Sequence, residues 1–132
     1  MEILLDTNAV IKTLRGEIPP HIEKLINNPN NGIYYSSVSL WEIDIKHNKH
    51  PKAMPYSSTD IFSILWYDTD FIMLTLKAEY INLLSSISGK DIHNDPFDHM
   101  LLATAKEEEM TFVTTDRVLK EYEDENLSVI VF

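Results

Sequence analysis

LLDTNAV, residues 4–10, sets a carboxylate, Asp6, directly against the end of three consecutive apolar residues, Ile3, Leu4 and Leu5. Three such residues read as a short buried strand, and the residues after Asp6 carry a helical pattern over 8–14 that stops near Gly16. A charge fixed between a buried strand and a helix stands at an edge of the fold, where other elements can use it.

Working outward, the same alternation repeats. Pro19 and Pro20 open a second helix with Ile22, Leu25 and Ile26 as its apolar stripe, and NNPNNG marks the turn after it. The strand-forming run 32–36, GIYYS, leads into Ser36, Ser37 and Ser39, each a possible cap for a helix containing Leu40, Trp41, Ile43 and Ile45, which Pro51 and Pro55 end. A helix is expected over 59–67 on Ile61, Leu65 and either Phe62 or Trp66, a short strand over 71–74, and a helix over 78–87 with Ile81, Leu83 and Leu84 inward. Asp95 and Pro96 suit the N-cap and first position of a helix whose Phe97, Leu101 and Ala105 share one side. A strand over 110–114, a short helix over 117–122 and a closing strand over 127–131 complete the pattern. Strands that read as apolar runs between helices predict an α/β fold with a mostly parallel sheet covered on both sides. With 132 residues, the chain is expected to form one domain, residues 1–132.

Composition narrows the chemistry. The absence of cysteine removes disulfides, zinc–thiolate sites and a cysteine nucleophile. The start carries acids at Glu2 and Asp6 rather than a basic leader, and no apolar run approaches the roughly 18 residues of a membrane span. The expectation is therefore an unprocessed cytoplasmic protein with no membrane partner. The formal charge is −10, and residues 91–125 hold eleven acids against three bases. Glu107 to Glu109 and Glu121 to Glu125 can lie on solvated surface, whereas Asp95, Asp98 and Asp116 fall at element ends.

In a parallel sheet, ligands bind beyond the carboxyl ends of the strands. Asp6 follows the first strand and Asp116 follows TFVTT, so neighbouring strands would bring both to one end. Asp98 and Glu42, each expected in the first turn of its helix, open over the same edge. Two carboxylates 5 Å apart at an effective dielectric near 20 repel by roughly 3 kcal/mol, so four together call for a counter-ion. Oxygen ligands alone favour one or two Mg²⁺ or Mn²⁺ ions, and such ions suit phosphodiester hydrolysis. Each acid also admits a structural reading. Asp6 or Thr7 can cap the first helix, Glu42 stands at capping-box spacing from Ser39, Asp98 can answer Asp95, and Asp116 can make a turn.

DTNAVI at 6–11, SLWEIDIKH at 39–47, DPFDHMLLATA at 95–105 and TFVTTD at 111–116 together resemble the successive motifs of PIN domains, particularly the VapC-like toxins of bacterial and archaeal toxin–antitoxin pairs. The resemblance covers essentially the whole chain. It implies a three-layer α/β/α sandwich and a metal-dependent ribonuclease acting on RNA, with Asp6, Glu42, Asp98 and Asp116 as the catalytic acids and ligands of Mg²⁺ or Mn²⁺. It further implies that Thr7 or Asn8 and Thr114 or Thr115 orient those ligands, with Asp95 in support, and that the protein forms a homodimer silenced by a cognate antitoxin. His99 departs from the arginine frequent at its position.

Lys46 can pair with Glu42, four residues earlier, or meet RNA; Arg117 and His93 are further candidates for RNA contact, with a solvated arginine and a loop-stabilising histidine as the alternatives. His47, His50 and His99 show no metal spacing. Trp41, Trp66 and Phe97 are expected in the core, and Tyr56, Phe62 and Tyr67 at a dimer face or antitoxin groove. Two competing functions stand beside the nuclease: a catalytically silent interaction module, and a phosphatase of small esters, which the lack of a Gly-rich phosphate loop disfavours.

Overall fold

The computed structural model describes residues 1–132. Strand β1 (Glu2–Leu5) runs into helix α1 (Thr7–Leu14), followed by α2 (Pro20–Asn27), β2 (Gly32–Ser36), α3 (Ser37–Lys49), α4 (Ser58–Asp68) and β3 (Ile72–Leu74). Then come α5 (Ala78–Asn82), α6 (Leu84–Ser88), α7 (Pro96–Glu107), β4 (Thr111–Thr114), a 3₁₀ helix (Arg117–Tyr122) and β5 (Val129–Val131). All four strand pairings are parallel, in the order β3-β2-β1-β4-β5. The first strand is thus the central one, and chain order reverses on either side of it. No helix is long and apolar enough to cross a membrane.

Alternation along β1 divides the interior into two cores. Ile3 and Leu5 face Val10, Ile22, Ile26, Ile61 and Leu65 from α1, α2 and α4. Leu4 points the other way, with Phe112 of β4, against Tyr80, Ile87, Leu101, Leu102 and Leu119. Helix α3 lies between the layers, giving Ile43 to the first core and Val38 to the second. The result is a three-layer α/β/α sandwich with buried apolar strands, as parallel pairing requires.

The departures from expectation have local causes. The helix expected over 78–87 breaks at Leu83 into α5 and α6. Ile81 points outward, 49% exposed, while Tyr80 is buried and its hydroxyl donates to Glu108 Oε1 at 2.7 Å. An aromatic ring with an acceptor in reach displaces the smaller aliphatic from the inward position. Trp41 and Trp66 are not core residues: they are 61% and 68% exposed. Helix α3 buries Val38, Ser39, Glu42 and Ile43, which leaves Trp41 off its inward stripe, edge-on to the partly buried Phe97 at 4.9 Å between ring centroids. Gly16 has φ +68°, a left-handed conformation that suits glycine where the chain leaves α1.

Helix α4 starts one residue before its expected position, because Ser57 forms a reciprocal cap with Asp60: each side chain accepts from the other's backbone N–H at 3.1 Å. Ser57→Ala is expected to lower stability by about 1 kcal/mol in urea unfolding, with the slope of the transition unchanged.

Candidate active site

The central strand ends where the chain reverses its lateral direction, and Asp6 occupies that point. Its N–H continues the ladder to β4, donating to the Val113 carbonyl at 2.9 Å. Its side chain is the N-cap of α1, accepting from Ala9 N–H at 2.7 Å on one oxygen and from the Thr114 hydroxyl on the other. Thr114 in turn accepts from the Asp116 N–H at 3.0 Å, so one buried hydroxyl links the acids that follow β1 and β4. Burial pushes the Asp6 carboxyl above the ordinary aspartate range, opposed by Thr114 and the backbone of Ala9 and Thr115 and reinforced by Glu42. Capping does not exhaust Asp6, because a carboxylate has more acceptor positions than the two it uses.

Glu42 lies in the second turn of α3, not the first. Strand β2 runs straight into this helix, so Ser36 takes the cap, accepting from Val38 N–H at 3.0 Å, and the capping-box reading of Ser39 with Glu42 falls. Ser39 is buried instead and accepts from the Thr7 hydroxyl at 2.9 Å, fastening α1 to α3 rather than orienting a carboxylate. Glu42 itself is buried; Oε2 meets Lys46 Nζ at 3.1 Å, and Oε1 has no hydrogen-bond partner.

Asp95 caps α7, accepting from Phe97 and Asp98 N–H at 2.9 and 3.4 Å. That cap leaves Asp98 in the first turn facing the sheet edge, where it accepts from His93 Nε2 at 2.9 Å. Burial, then the neighbouring charge of Asp95, pushes the Asp98 carboxyl up to about 6 against the hydrogen bond from His93. Asp116 caps the 3₁₀ helix through Val118 N–H at 3.0 Å. Ligand atoms of His93, Asp98 and Asp116 lie within 4.8 Å of one another. Asp6 and Glu42 stand outside that trio but line the same cavity, about 170 Å³, with Thr7, Asn8, Lys46 and Asp95 and no apolar residue. Arg117 is exposed and lines a neighbouring groove with Lys120 and β5 rather than this cavity, and Thr115 lines neither.

A PIN domain model matches residues 3–125 of this sequence. The chain belongs to the PIN domain family. Its fold is also that of solved complexes. The VapBC2 complex of Rickettsia felis bound to a promoter DNA fragment superposes with a TM-score of 0.71 at 20% identity, over 100% of this chain and 99% of the other. DNA-bound VapBC from Salmonella typhimurium gives 0.69 at 20%, over 99% and 98%. VapBC-5 of Mycobacterium tuberculosis, a member of a family of toxin–antitoxin systems, gives 0.66 at 14%, over 99% and 98%. No curated protein matches the chain by sequence.

The residues of this PIN domain fit a hard divalent cation. Five carboxylates converge on a cavity whose only basic side chains are Lys46 and His93, and the buried Glu42 Oε1 lacks the partner that buried polar atoms otherwise find. The trio of His93, Asp98 and Asp116 can hold one such ion. Lys46 serves as the chain's own counter-ion. Lys46→Met is expected to lower the Tm of the metal-free protein by a few degrees, corresponding to about 1 kcal/mol, and to enlarge the increase in Tm produced by Mn²⁺. Parallel thermal scans with and without Mn²⁺ read both effects.

Proposed function

We propose that this PIN domain is a divalent-cation-dependent endoribonuclease. The observation that carries the reading is the unpartnered Oε1 of buried Glu42 in an all-polar cavity beyond the carboxyl ends of β1 and β4. Asp6, Glu42, Asp98 and Asp116 would hold one or two Mg²⁺ or Mn²⁺ ions, which when bound supply Lewis acidity toward a phosphodiester and the water that attacks it. The hydrolysis adds that water to phosphorus and breaks the bond to the 3′ oxygen.

The chain's own residues prepare this chemistry. Thr114 fixes the spacing of Asp6 and Asp116, the Asp95 cap sets the first turn of α7, and His93 holds Asp98. Lys46 is the ammonium within reach of a phosphate in the cavity, and exposed Arg117 offers a second cation on the adjoining groove. An RNA strand laid across the sheet edge would meet both.

The fold shared with VapBC complexes supports a cognate antitoxin as partner, with the chain as the toxin of the pair, and a homodimer belongs to the same reading. The test is cleavage of RNA oligomers by purified, antitoxin-free protein with Mn²⁺ or Mg²⁺, with chelator, and with nucleoside monophosphates as competing substrates. Internal RNA cuts that vanish with chelator support the proposal. Stabilisation by Mn²⁺ without any cleavage would favour a silent interaction module, and release of phosphate from monophosphates alone would favour a phosphatase.

A further inference from the structure

His99 follows Asp98 in α7 but turns away from the cavity into the second core, where it is 8% exposed. Its Nε2 lies 2.5 Å from the carbonyl oxygen of His93. A carbonyl only accepts, so Nε2 carries the hydrogen. Nδ1, on the other side of the ring, lies 3.1 Å from Ser88 Oγ. Fully buried Tyr122 supplies a second donor, its hydroxyl standing 3.3 Å from the same carbonyl, with its ring at 63° to the imidazole.

Two donors from α7 and the 3₁₀ helix therefore converge on one backbone oxygen. That oxygen belongs to a segment without helix or strand, and residues 92–94 make no backbone–backbone hydrogen bond. The His93 ring of the same segment donates to Asp98 at 2.9 Å. What holds that ring at the site is the grip on its backbone.

We propose that His99 is a positioning residue: with Tyr122 it clamps the His93 carbonyl and thereby keeps the His93 imidazole against Asp98. An arginine in its place would carry a charge into the core beside Tyr122, whereas the imidazole sets Nε2 on the carbonyl, with the Tyr122 hydroxyl 3.4 Å from the same nitrogen, and Nδ1 at Ser88. The residue therefore acts through the loop and touches no substrate. The kinetic part of this proposal rests on the ribonuclease reading; the placement of His93 does not.

The experiment begins with long-range ¹H–¹⁵N spectra of the metal-free, full-length protein near neutral pH. They are expected to show His99 with its hydrogen on Nε2 and His93 with a hydrogen-bonded Nε2. His99→Leu removes the donor and is expected to move the His93 resonances to those of a free imidazole. His99→Gln, whose amide nitrogen can reach the same carbonyl, is expected to restore them. Tyr122→Phe, which deletes one donor without opening a cavity, is expected to shift them in the same direction by less. In Mn²⁺-supported RNA cleavage, His99→Leu is expected to lower kcat about 10- to 100-fold, the range for groups that orient a site from behind, with KM unchanged and recovery in His99→Gln.

A His99 ring without a hydrogen on Nε2 would overturn the proposal. So would unshifted His93 resonances in both His99→Leu and Tyr122→Phe, or a His99→Gln protein as impaired as His99→Leu. If His99→Leu fails to fold, Tyr122→Phe decides the matter alone. A wild-type protein that cuts no RNA would remove the nuclease reading and leave the spectra to decide the clamp.

Discussion

Asp6→Asn is expected to abolish RNA cleavage, lowering kcat by at least about 10³-fold, while the fold stays within about 1 kcal/mol of the wild type. The fold should tolerate the change because asparagine caps a helix nearly as well as aspartate, so the bond from Ala9 N–H at 2.7 Å survives. The Thr114 hydroxyl, which donates to Asp6, can accept from the new amide as it already accepts from Asp116 N–H. Loss of a buried charge whose protonation burial already favours offsets what remains. Activity has no such substitute, since an amide oxygen lacks the charge that a hard cation and the proposed chemistry require. Single-turnover cleavage of an RNA oligomer and thermal unfolding in chelator measure the two halves. Equal cleavage by Asp6→Asn and wild type would remove Asp6 from the site.

The contrast between Asp6 and Glu42 explains what the sequence can reveal. Apolar runs mark the ends of β1 and β4, and a parallel sheet sends both ends to the same side, so local pattern puts Asp6 and Asp116 at one edge, while only the pairing of β1 with β4 makes them neighbours. Asp95 and Pro96 mark the start of α7 equally well, which located Asp98. Glu42 stands on the helix the pattern predicts but one turn further along, because three serines offer caps and only the direct passage from β2 into α3 selects Ser36.

Contacts distant in sequence carried no local signal. Thr7 and Ser39 meet across 32 positions, and the His93 carbonyl meets Tyr122 across 29. The exposed Trp41 shows the same limit for cores: hydrophobicity identified the residue type, while the stripe that α3 buries decided its direction. His99 is the sharpest case. Its spacing suggests no function, and only the packing of α7 against α6 and the loop at His93 reveals what both ring nitrogens meet.

The stability of the metal-free protein should fall as pH rises, and the cation should level that slope. The folded Asp98 carboxyl titrates at about 6 and its ordinary value is 3.8, so between those values the native state holds a proton that the unfolded state has released. Stability of the metal-free protein from this group therefore falls as pH rises through that window and is level above it. Asp6, also raised, acts in the same direction. Glu123 and Asp124 are lowered by backbone hydrogen bonds from Val129 and Asn126, so their opposite contribution is lost only toward more acid pH. After allowance for partial solvent screening, moving from pH 7 to pH 5 is expected to stabilise the metal-free protein by about 1 to 2 kcal/mol, or roughly 5 °C in Tm. Mn²⁺ should cancel most of that difference, because it binds the ionised carboxylates. At a hundredfold excess over its Kd at pH 7 it is expected to add about 2.7 kcal/mol, near 10 °C, whereas protonation of Asp98 at pH 5 weakens that Kd about tenfold. Asp98→Asn should reduce the metal-free slope and the Mn²⁺ increment together, since Asp98 contributes to both. A Tm at pH 7 that ignores Mn²⁺ would contradict the metal site, and a slope that persists in Asp98→Asn would move the titrating group elsewhere.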